Sequence, residues 1–146
     1  MAQRIVPMLA YEDTAAAIDW LEEAFGFVEH GPRYVMEDGT VGHAELELRG
    51  DIVMLATPNP DYESPRTHRR TCAAADRWLS NPWVIDGVLV HVPDVDAHYA
   101  RAKREGATIL SEPGIGLASI ITVPGCRLPY QIICEVPSGL TTQRWW

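Results

Sequence analysis

The sequence predicts an α+β protein made of two copies of a βαβββ unit. Three observations carry this reading. A short apolar strand, a helix cap, an amphipathic helix and a terminating glycine occur twice in that order. The intervals Asp13 to Gly26 and Asp94 to Gly106 are nearly equal, which marks an internal repeat. Paired turn residues follow the first helix at hairpin spacing. The 146 residues suit one domain, with module one at about 3–58, a linker at about 59–84 and module two at about 85–146.

Taken in order, residues 4–10 are a short run of strand formers. Asp13 or Thr14 then offers an oxygen to the free amides of a helix start. Ala17, Ile18, Leu21 and Phe25 recur at helical spacing, with Asp19, Glu22 and Glu23 on the other face. Gly26 stands where a left-handed cap residue ends a helix. Residues 27–36, 41–49 and 52–57 read as three antiparallel strands, joined by turns at Glu37-Asp38-Gly39-Thr40 and Gly50-Asp51.

The linker carries Pro58, Pro60 and Pro65, a basic knot of Arg66, His68, Arg69 and Arg70, and a stretch from Cys72 to Leu79 able to form a short helix. Strand 87–92 opens the second unit, and Asp94 caps a helix with Tyr99 and Ala102 inward and Arg101, Lys103, Arg104 and Glu105 toward water. His98 reads as a surface group of that helix, as do His30 and His68 elsewhere. Residues 107–111, 119–123, 130–136 and 143–146 are strand-like, interrupted by Gly114-Ile115-Gly116 and Pro124-Gly125.

Composition excludes several classes. The net charge of −8 repels phosphate backbones, so no nucleic-acid partner is expected. No apolar run approaches the ~18 residues of a bilayer span, so no membrane partner is expected either. Cys72, Cys126 and Cys134 are odd in number and form no metal-knuckle spacing, which makes a reducing cytoplasm the expected compartment. There is no Walker sequence and no GxSxG elbow, and the Gly114-Ile115-Gly116 triplet lacks the rest of a dinucleotide loop.

Three runs, "YEDTAAAIDWLEEAFGF", "GHAELELRGDIVMLATP" and "VHVPDVDAHYARAKREGATILSEP", lie in one order and spacing. Together they resemble the vicinal oxygen chelate superfamily of glyoxalases, bleomycin resistance proteins and extradiol dioxygenases, in its small glyoxalase-like branch. The resemblance covers most of residues 4–113 and weakens from Gly114, although "GLTTQRWW" is similar to the family's closing strand. It implies two modules whose mixed sheets curl around a shared groove, commonly completed by a homodimer.

Metal-dependent members of the family hold a divalent ion with His and Glu from the first and last strands of each module. The slots matched through Asp13 and Asp94 fall near Val6, Met54, Gly87 and Trp146, none of which suits such an ion. No metal and no cofactor are expected. His43, Glu45 and Glu47 alternate with Ala44, Leu46 and Leu48, so the polar set occupies one sheet face, which lines the groove in the resembled fold. His91 shares strand parity with the Gly87 slot, so four titratable groups could meet there. They are either an acid/base set, with His43, Glu45 and His91 as the catalytic candidates, or a polar face that is merely wet.

The expected ligand-binding residues are Met8, His43, Glu45, Met54, His91, Trp145 and Trp146, the tryptophans as stacking surfaces or as plain packing. The expected function is metal-independent binding of a hydrophobic small molecule, a cationic one being favoured by the charge, with drug sequestration as one form. The alternative is a glyoxalase-type lyase or isomerase using a relocated metal or a His/Glu pair.

Overall fold

A computed structural model describes residues 5–80, 87–113, 119–122 and 131–135. The first unit runs β1 (Met8–Ala10), α1 (Thr14–Phe25), β2 (Val28–Glu29), β3 (Tyr34–Val35), β4 (Val41–Leu48) and β5 (Asp51–Ala56). Two short helices, α2 (Pro65–His68) and α3 (Ala73–Leu79), occupy the connection. The second unit runs β6 (Gly87–His91), α4 (Val95–Arg104), β7 (Thr108–Ser111), β8 (Ser119–Thr122) and β9 (Gln131–Glu135).

Both long helices start on the same chemistry. The Asp13 carboxylate accepts from the Ala16 N–H at 3.0 Å, and the Asp94 carboxylate accepts from the Ala97 N–H at 2.9 Å, each supplying a partner that a first helical turn lacks. Gly26, at φ 77°, takes the left-handed conformation in which its N–H reaches back to the carbonyls of Glu22 and Leu21.

Strand order repeats between the units. The first sheet is ordered β1-β5-β4-β2, with β3 also on β4, and the second is β6-β9-β8-β7. In each, the last strand returns to lie parallel to the first, β5 on β1 and β9 on β6, and the other pairings are antiparallel. The molecule is therefore a mixed α+β fold with an open, curled mixed sheet hydrogen-bonded in two halves.

Several local expectations need correction. Residues 27–36 are not one strand: the chain turns at Gly31, φ 84°, beside Pro32, which has no N–H to give a ladder. Arg33 holds this corner by a two-pronged contact with the Glu29 carboxylate at 2.6 and 2.8 Å. This contact lowers the Glu29 pKa and raises that of Arg33. The second hairpin turns on Arg49 and Gly50, both at positive φ, and Asp51 already belongs to β5. The predicted strand at 143–146 lies outside the described residues.

The core sits between the helices and the inner sheet faces. Ile18, Leu21, Ala44, Leu46, Val53 and Leu55 are buried together, and Val90, Val92 and Ala102 of the second unit join the same cluster. At the joint between the units, Trp20 Nε1 donates to the Glu105 carbonyl at 2.8 Å. His98, expected on the surface, is buried there against Phe25, because α4 turns the stripe Val95, His98, Ala102 toward α1. Tyr99, expected inward, is half-buried and donates its hydroxyl to Glu112. Among the described residues no helix is long and apolar enough to cross a membrane.

Candidate functional site

The open face of the first sheet is set by register. Met8 lies opposite Met54, and Met54 lies opposite Glu45, so two thioethers and a carboxylate form one row across β1, β5 and β4. Along β4, Ala44 and Leu46 are buried while His43, Glu45 and Glu47 are half-exposed, as alternation in a one-sided sheet demands. His43 Nε2 stands 3.7 Å from Glu45 Oε1, a contact that becomes ionic when the imidazole is protonated.

A β-bulge shapes the outer end of this face. Tyr34 pairs with His43, but the next residue, Val35, pairs with Val41, leaving Gly42 as an extra residue in β4. The bulge lets Val41 and Ala44, three residues apart, both reach the core while His43 stays on the open side. An isolated glycine inside an alternating strand was the available signal for it, and reading 41–49 as a regular strand missed it.

The four titratable groups do not form one cluster. Glu47 lies 3.4 Å from His30 rather than turning to His43. His91 is exposed on β6 of the other sheet, where its register partner is Glu135, and no hydrogen bond or ion pair joins it to His43, Glu45 or Glu47. Among the described residues, no three His, Cys, Asp or Glu side chains are grouped so as to hold a metal ion. Trp145 and Trp146 lie outside the described residues.

At three of the four positions where the resemblance puts a metal ligand, the residues do not fit a divalent ion. Val6 and Gly87 offer no side-chain donor, and Met54 offers only a thioether. Topology relocates the fourth slot: β9 lies on β6 as β5 lies on β1, so module two's counterpart of the Met54 strand is residues 131–135 rather than the last four residues. Gln131 and Ile133 are the partners of Gly87 and Leu89 there.

The repeated βαβββ topology and a half-exposed polar sheet face over a shared core define a mixed α+β protein built from two similar units. A profile of the glyoxalase, bleomycin resistance protein and dioxygenase superfamily matches residues 4–119. The chain belongs to that superfamily. It is 34% identical over 107 residues to the uncharacterised protein Rv0887c of Mycobacterium tuberculosis, a match covering 72% of this chain and 56% of that protein. The chain spans less than two thirds of the length of the curated relatives it matches.

Among solved structures it is similar to TioX from Micromonospora sp. ML1, with 27% identity, a TM-score of 0.62, and coverage of 92% of this chain and 98% of that one. The fold is also that of TnmS3, an antibiotic binding protein from Streptomyces sp. CB03234, with 18% identity, a TM-score of 0.60, and coverage of 94% and 99%.

Proposed function

We propose that this protein binds a hydrophobic, cationic small molecule without the help of a metal ion, in a groove whose floor is the open face of the first sheet. The observation that carries this reading is the row Met8, Met54, Glu45 with His43 beside it: two polarisable thioethers lead up to a carboxylate, and one of them, Met54, stands where the resemblance puts a metal ligand. The net charge of −8 favours a cationic guest in the same direction. Drug sequestration is the specific form proposed, and the fold shared with TnmS3, an antibiotic binding protein, supports it.

A second copy of the chain completes the groove in this reading. Among the described residues the two sheets of one chain are not hydrogen-bonded to each other, and Met8 and Leu89 are 64% and 47% exposed. Sheet faces carrying such side chains gain by being covered. In that dimer His91 of one copy is a groove residue alongside His43 and Glu45 of the other.

The test is an equilibrium titration with a panel of antibiotics, followed by tryptophan fluorescence, on protein purified without chelator and again after EDTA treatment. Saturable binding that survives EDTA is the expected result. If no compound changes the signal, the binding role is wrong.

A second reading, a glyoxalase-type lyase or isomerase, is favoured by the 3.7 Å approach of His43 and Glu45, a spacing from which a proton passes after a small side-chain adjustment. Elemental analysis separates the two readings. Stoichiometric nickel, zinc or manganese would favour the enzyme with a relocated metal.

A further inference from the structure

An aromatic residue, Tyr34, is the register partner of His43 in the sheet, and alternation along the sequence does not single it out. Its ring and the Met36 side chain crowd the position where a Cβ on Gly42 would sit: such a carbon would meet Tyr34 Cδ1 and Met36 Cγ at a tight 3.1 Å each. The bulge at Gly42 therefore opens a notch in β4, and the Tyr34 ring is seated in it. Tyr34 as a whole is nonetheless 64% exposed. A seated ring with an open surface loses little conformational freedom when a ligand arrives, which is what a stacking platform requires.

Its neighbours specify what would stack there. Tyr34 is the register partner of His43, which places them side by side on adjacent strands, and Glu45 follows two residues along the same face of β4. Beyond Glu45 come Met54 and Met8. The order across the face is aromatic ring, imidazole and carboxylate, thioethers.

We propose that Tyr34, held by the notch at Gly42, is the stacking platform of the site, and that the groove selects a planar aromatic guest carrying a positive charge or an N–H donor at its edge for Glu45. This rests on the binding function proposed above and narrows its ligand class. The ring face attracts the cationic π-system, and the carboxylate takes the edge donor as a charge-assisted hydrogen bond. A cation without a ring loses the first contact, and a planar anion is repelled by the second.

The experiment uses the full chain and three probes: proflavine, a planar cation; choline, a cation with no ring; and anthracene-2-carboxylate, a planar anion. Binding is followed by probe or tryptophan fluorescence, with thermal melting of each variant to confirm folding. Proflavine is expected to bind and the other two to bind at least tenfold more weakly. Tyr34→Ala should weaken proflavine about tenfold, and Tyr34→Phe should stay within about twofold. Gly42→Ala, which adds a methyl where the ring sits, should weaken it as well; if that variant melts early, the Tyr34 pair still decides. Unchanged proflavine affinity in Tyr34→Ala, with a loss in Glu45→Gln, would remove the platform and leave the binding function standing. Should proflavine fail to bind while an antibiotic from the panel does, the ligand class is wrong; failure of every compound takes the binding function with it.

Discussion

The imidazole of His98 lies against the ring of Phe25, centroids 4.4 Å apart and planes inclined at 56°, at the point where α4 meets α1. Its Nδ1 faces Arg101 Nη2 at 3.3 Å and its Nε2 is buried without a hydrogen-bond partner. A module joint built around a neutral histidine has a direct consequence for acid stability.

Burial first, and then the Arg101 charge, push the His98 pKa from 6.5 down to about 4. The unfolded chain takes up the proton near its ordinary value and the folded chain only near pH 4. Stability from this group is therefore fully present above pH 6.5 and drains away as pH falls toward 4, by up to about 3 kcal/mol. Urea unfolding at pH 7, 5.5 and 4.5 measures this. His98→Phe should flatten the slope across that window, and an identical slope in the variant would show that other groups set it.

Trp20→Phe keeps an aromatic ring but removes the five-membered ring of the buried indole together with the donor to the Glu105 carbonyl at the end of α4. A loss of about 1–3 kcal/mol is expected, from the hydrogen bond and the cavity together. Amide exchange around residues 103–107 should speed up while exchange in β4 stays unchanged, since the hydrogen bond ties only the C-terminal turn of α4 to α1.

Glu45 and Leu46 are adjacent in β4 and face opposite ways. Leu46 is fully buried, so Leu46→Ala should cost about 2–5 kcal/mol in denaturant unfolding. Glu45→Ala should change stability by no more than about 0.5 kcal/mol and act on ligand affinity instead. A large stability loss from Glu45→Ala would contradict the assignment of faces.

Arg49 holds φ 56° in the turn between β4 and β5, a conformation that costs an L-residue about 1 kcal/mol and glycine almost nothing. Arg49→Gly should accordingly raise the melting temperature slightly, and Gly50→Ala, at φ 90°, should lower it. The pair of opposite signs is the measurement.

The sequence by itself determined what a few consecutive residues decide. The helix starts at Asp13-Thr14 and at Asp94, the end of the first helix at Gly26, and the sorting of His43 to Leu48 into a core face and an open face were legible, because caps and alternation act over two to four residues; that Asp13 rather than Thr14 is the cap was decided by the fold. The repeat of the βαβββ unit followed from those same signals occurring twice; the family followed from the resemblance of three runs of residues.

Tertiary structure decided whatever depends on partners distant in the chain. Whether His98 or Tyr99 is covered depends on α1, some seventy residues earlier, and α4 taken alone carries both on one broad side. The pairing of Tyr34 with His43 depends on the extra residue at Gly42, and the placement of Glu135 beside His91 depends on a parallel pairing that closes across forty-odd residues. A helix or a turn is specified by its own hydrogen bonds; a register is specified by which of several alternating faces fit together once the core has formed, and only the folded chain makes that choice.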